Sequence, residues 1–219
     1  LAVTTVTNFL HNGGWFALVL TGGLVTICFF IRKHYDGVKK ALMRLDEMLI
    51  NLPFPKAPVE EAKECDPSKP TAVLMVTGYN GLGIHSIFSI RKLFKEKFRN
   101  FIFISVGRVD SSKFKGREEL ENHKKATEED LRKYVDLARG MGYNSEYRLE
   151  MGTDVIDEIE KICDQVAATF TEPIFFAGKL IFAQENPVTR VLHNQTSLEL
   201  QRRLLFKGHN TVVLPIRVL

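Results

Sequence analysis

The sequence has few of the groups that covalent chemistry needs. Its three cysteines, Cys28, Cys65 and Cys163, form no CxxC pair and stand at no metal-ligand spacing from a histidine. Neither a disulfide framework nor a zinc site is therefore expected, and the thiols read as reduced and packed or incidental. The six histidines at 11, 34, 85, 123, 193 and 209 are far apart and form no HExxH. No GxSxG elbow is present, and no Lys-Ser or Lys-Thr follows a glycine loop. Cys163 sits within an apolar helical stretch, and Asp154 and Asp157 are explained by the first turn of a helix. No catalytic residue, metal site or enzymatic activity is expected. There is also no internal repeat and no low-complexity tract.

Charge of one sign is scarce as well, except in one place. Between Arg32 and Arg44 five basic residues (Arg32, Lys33, Lys39, Lys40, Arg44) face one acid, Asp36, which gives +4, the net charge of the whole chain. Of its 30 basic and 26 acidic residues, the 25 and 25 that lie elsewhere cancel, so nucleic acid is not an expected partner.

The stretch before that patch explains it. From Asn12 to Ile31, "NGGWFALVLTGGLVTICFFI", there is no charge over 20 residues. As a helix rising about 1.5 Å per residue, it matches the roughly 30 Å apolar core of a bilayer. Trp15 serves as an interfacial anchor at one end and "RKHY" closes the other, so everything after Ile31 is expected in the cytoplasm. A buried core helix is the competing reading, weakened by Gly22 and Gly23. A signal peptide fits worse, because the basic residues follow the apolar run. The chain begins at Leu1 without Met and reads as a piece of something longer, with "LAVTTVTNFL" as the tail of an earlier membrane helix and "HNGG" as a turn.

Beyond the patch, Val38, Ala41, Leu42, Leu45, Met48 and Leu49 recur at i, i+3, i+4 spacing, which predicts an amphipathic helix over 36–50. Residues 51–70 hold five of the eight prolines and read as a linker. From Thr71 the pattern alternates. Strands are expected at 71–77, 101–109, 145–151, 173–182 and 211–218, with helices at about 83–98, 117–140, 154–169 and 196–207. Thr153 or Asp154 is the expected N-cap of the third of these helices, and "TSLE" from Thr196 has capping-box spacing. Apolar strands separated by helices predict an α/β fold: an open, mostly parallel five-stranded sheet covered on both faces, preceded by a transmembrane helix. The expected parts are a membrane segment (1–34), a juxtamembrane helix and linker (35–70) and a cytoplasmic α/β domain (71–219).

Two resemblances follow. The five-strand unit, with "MGTDVIDEI" after its third strand, resembles a universal stress protein domain, which implies sheet order 3-2-1-4-5. The stretch "TNFLHNGGWFALVLTGGLVTICFFIRKHY" is similar to the last membrane helix of amino-acid-permease-like transporters of the APC superfamily, a group that includes potassium importers with cytoplasmic domains of this stress-protein kind. Together they imply the C-terminal regulatory part of a multi-pass secondary transporter in the cell (inner) membrane, for amino acids or a cation such as K⁺. The partners implied are the lipid bilayer, N-terminal transmembrane helices of the same chain and a second copy paired through the last strand. The alternative is a single-span, membrane-anchored nucleotide sensor not coupled to transport.

The stretch "VTGYNGLGIHS" (76–86) follows strand one and borders the crevice where such sheets take ligands. One reading makes its glycines a tight strand-to-helix corner. The other makes Gly78, Asn80, Gly81, Gly83 and His85, with Gly178 after strand four, a nucleotide site. In the second reading the helix starts at about Gly83, and its free N–H groups receive phosphate. The resemblance implies ATP or cyclic di-AMP as the regulatory ligand. In ATP-binding members a second motif runs Gly, two residues, Gly, about nine residues, then Gly-Ser or Gly-Thr. Here Gly178 matches the first glycine, Ile181 replaces the second, and Asn194 and Gln195 stand near the last pair. That departure favours the corner.

Overall fold

A computed structural model describes residues 14–50, 64–95, 97–109, 117–182 and 196–218. The expectations for 1–13, most of the proline-rich linker, and Asn194 and Gln195 lie outside the described residues. The chain divides into two units, Leu1–Met43 and Arg44–Leu219.

The apolar run forms helix α1, Gly14–Ile50, which continues through "RKHY" and the expected amphipathic segment as one element. Nothing in that stretch stops a helix. Gly37 is a single glycine, and Asp36 and Lys40 stand at the i, i+4 spacing that supports one. Within α1, Trp15–Gly37 has a mean hydropathy of 1.9 and is long and apolar enough to cross a membrane by length and composition. Its large apolar side chains, from Trp15 and Phe16 to Phe29 and Phe30, are exposed. Its polar side chains bond inward. Thr21 Oγ1 donates to the carbonyl of Ala17 and Thr26 Oγ1 to that of Gly22, both at 2.7 Å, so neither hydroxyl needs water.

The second unit is built on five strands: β1 (Thr71–Met75), β2 (Asn100–Arg108), β3 (Asn144–Gly152), β4 (Ile174–Phe182) and β5 (Thr211–Val218). All pairings are parallel, in the order β3-β2-β1-β4-β5 that the resemblance implies. Between the strands run α2 (Gly81–Phe94), α3 (Arg117–Gly140), α4 (Val155–Thr169) and α5 (Thr196–Phe206). Parallel strands require such crossovers, which is why the sequence reads as strands in alternation with helices.

Strand periodicity assigns the core. Ala72, Leu74, Phe101, Phe103 and Phe176 face one side, where α2 and α3 pack, while Val73, Ile102, Ile104 and Phe175 face the other, where α4 and α5 pack. Both faces are buried, so the strands are apolar runs and not half-polar alternations. On the first side Phe94, Phe98 and Phe176 meet with ring centroids 5.3 to 5.7 Å apart, in tilted and edge contacts worth about 0.5–1.5 kcal/mol each beyond area burial. On the second, an ion network ties α5 to α4. Arg203 reaches Asp157 at 2.6 Å, and Lys207 reaches Glu160 at 2.6 Å and Asp164 at 2.8 Å.

Residues 64–70, which the sequence assigns to the linker, are tied to the amino end of the sheet. The Pro70 carbonyl accepts from Arg99 N and Asn100 N, and the Pro67 carbonyl from Thr171 N. Asn100, fully buried, completes the seal. Its amide donates to the Asp66 carbonyl at 2.7 Å and to Thr71 Oγ1 at 2.9 Å, and its oxygen accepts from Asp66 N and from Asn144 Nδ2.

Candidate functional site

After β1 the chain builds the outer strands β2 and β3 on one side, then returns to lay β4 and β5 on the other. The carboxyl ends of β1 and β4 therefore diverge, and the loops leaving them cannot cover the gap. A cavity of about 640 Å³ lies there, walled by the ends of β1, β2 and β4 and the first turns of α2, α4 and α5. That volume lies within the roughly 300–1,000 Å³ of small-molecule sites.

The glycine loop forms one wall. Gly78 takes φ +67°, where a side chain is strained, and turns the chain out of β1. Helix α2 starts at Gly81 and not at about Gly83, because Asn80 caps it: Asn80 Oδ1 accepts from Gly83 N at 3.0 Å. The N–H expected to be open to phosphate at Gly83 is thus already bonded. The loop is pinned from outside by Tyr134 of α3, a fully buried residue whose Oη accepts from Asn80 N at 3.0 Å and lies 3.1 Å from the Gly78 carbonyl, which accepts from it. The Tyr134 ring presses so closely on Gly83 that a Cβ there would overlap its hydroxyl and ring edge.

Gly178 is explained in the same way. A Cβ at this position of β4 would lie 2.8 Å from Ser86 Oγ and 3.1 Å from Leu82 Cδ1, so its absence lets α2 settle on the strand. On the facing wall, Asp154 caps α4 and accepts from Ile156 N at 3.0 Å and Asp157 N at 3.2 Å. It is the second of the two N-caps the sequence proposes. The starts of α2 and α4 have thus turned N–H groups toward their own caps.

Of the six residues named from sequence, Asn80, Gly83 and Gly178 line the cavity. Gly78 and Gly81 lie behind it in the corner, and His85 lies further along α2, half-buried, where burial holds its imidazole below the ordinary 6.5. The sequence reading missed the groups that carry charge and hydroxyls into the cavity: Arg108 at the end of β2, Lys179 on β4, and Thr77, Thr153 and Ser197 around them. A signal existed. Arg108 is the lone charge in "FIFISVGRV" and Lys179 the lone charge in "PIFFAGKLIF". A single cation late in a buried parallel strand sits where the sheet opens. Two cations with hydroxyls suit an anionic ligand held by side chains.

The two buried thiols offer no nucleophile. Burial pushes Cys65 up to about 12 and Cys163 upward as well, and both stay protonated. Among the described residues, no group of three or more His, Cys, Asp or Glu could hold a metal.

No family model matches the chain, and no curated protein matches it. Among solved structures it is similar to a universal stress protein from Archaeoglobus fulgidus, with 11% identity and a TM-score of 0.46 over 67% of this chain and 93% of that chain.

Proposed function

We propose that the chain is the cytoplasmic regulatory end of a membrane protein: the C-terminal part of a multi-pass secondary transporter for amino acids or a cation such as K⁺, with a binding role and no catalytic one. The observation that carries this reading is the contrast at Trp15–Gly37, an apolar helix whose large side chains are exposed, in a chain whose sheet has a closed core on both faces. Water does not tolerate such a surface, and a bilayer or neighbouring membrane helices do.

The crevice holds the regulatory ligand. Arg108 and Lys179 favour an anion, and ATP or cyclic di-AMP fits the volume and the charge. A ligand that prefers one arrangement of the α/β unit shifts the transport core toward it by its difference in affinity for the two states. A second copy pairs along β5, where Pro215 removes one backbone donor and limits the contact.

The reading sequence upstream of Leu1 is the direct test. Ten or so further hydrophobic spans support the transporter. A start codon close by supports the single-span sensor. Deleting residues 71–219 in the intact transporter is expected to abolish regulation and leave basal transport; an unaltered response rules out a regulatory role.

A further inference from the structure

Helix α1 carries its charge on one side. At about 100° per residue, Arg32, Lys33, Lys39 and Lys40 fall within roughly 120° of its circumference, over about two turns. All four are exposed. Asp36 lies inside the same arc and subtracts one charge. The stripe starts one residue after the uncharged run ends at Ile31, and charges outside Arg32–Arg44 cancel. Lys39 stands seven residues beyond Arg32, about 10 Å along the axis and comparable to the roughly 10 Å screening length at 0.1 M salt, so both pairs of cations feel a charged surface at the helix's point of exit.

We propose that this face of α1 is a binding surface for anionic phospholipid headgroups of the bilayer that the uncharged run ending at Ile31 spans, a proposal that rests on the membrane reading above. Adjacency selects the partner. Cations that begin at the end of the apolar run and reach about 13 Å beyond it, little more than one screening length, meet headgroups before any soluble polyanion. Because the charge is on one side only, the attraction also fixes which face of the helix leans toward the membrane surface.

The test uses the full chain reconstituted in phosphatidylcholine vesicles containing phosphatidylglycerol, with spin-labelled lipids of each kind and the motionally restricted fraction read by electron paramagnetic resonance. The chain is expected to retain phosphatidylglycerol over phosphatidylcholine several-fold, a preference that salt removes. Lys39→Gln with Lys40→Gln is expected to lower it about threefold, and Asp36→Asn to raise it. Restricted lipid with equal retention of the two headgroups, or a preference indifferent to both variants, overturns the stripe while leaving the span intact. No restricted lipid of either kind overturns the span and the stripe together.

Discussion

The two ends of the sheet are built on opposite principles. At the amino end, Asn100 satisfies both its amide protons and its oxygen against Asp66, Thr71 and Asn144, and the Pro67 and Pro70 carbonyls take backbone donors. At the carboxyl end, Arg108, Lys179 and several hydroxyls line a cavity of about 640 Å³. Buried polar groups that pair with each other add stability and uniqueness, whereas cations collected at an opening are available to something else. The difference separates two kinds of residue: those whose loss unfolds the domain and those whose loss leaves it folded with altered binding.

The largest expected effect breaks the corner between the two ends. Gly83→Ala forces a methyl into the Tyr134 ring, and urea unfolding of residues 64–219 is expected to show a loss of about 3 kcal/mol. Gly178→Ala is expected to cost about 1 kcal/mol, because the nearest atom, Ser86 Oγ, is on a side chain that can rotate away. Equal costs at the two positions contradict the packing explanation. Next is the sealed end itself. Asn100→Leu leaves the Asp66, Thr71 and Asn144 partners unpaired, with an expected loss of about 2 kcal/mol and no change in ligand affinity.

The fold was legible because both sheet faces are buried. Strands such as "FIFIS" then carry no polar alternation, and their spacing by helices of 11 to 24 residues leaves a parallel sheet as the natural result. The site was legible in place and not in detail. That the crevice opens beyond β1 follows from strand order, but the reason for Gly83 is Tyr134, brought in by a helix far along the chain, and nothing local in "GYNGLG" encodes it. Asn80 was readable as a cap, since Asn before a glycine-containing helix start is a common signal, yet the glycines drew attention to phosphate instead. Residues 64–70 were hidden for the opposite reason. Prolines suggest a linker, and their carbonyls still accept hydrogen bonds at the amino end of the sheet.

The open end is tested by binding. Arg108→Gln and Lys179→Gln are each expected to weaken calorimetric binding of ATP or cyclic di-AMP by about tenfold while shifting stability by less than about 0.5 kcal/mol. No heat from either nucleotide with the unsubstituted domain removes them as ligands. Stability lost in step with affinity shows instead that the two cations are structural, and the contrast between the ends fails.

The smallest effect separates the ends by pH. Burial holds His85 on α2 below its ordinary 6.5, so the folded state takes up its proton later than the unfolded chain does. As pH falls through 6.5, the unfolded state binds a proton that the folded state does not, and stability declines until the folded value is passed. At the sealed end, hydrogen bonds from Ser68 hold Asp66 below its ordinary 3.8, so its contribution is kept at any pH above that and lost only as pH falls through the lowered value. Between pH 6.5 and 5, mild acid should therefore loosen α2 and leave residues 64–72 untouched. Hydrogen exchange at pH 7 and pH 5.5, corrected for intrinsic rates, is expected to show protection falling over residues 81–94 alone. His85→Gln should remove that fall. Equal loss at both ends, or a fall that survives the substitution, places the acid-sensitive group elsewhere.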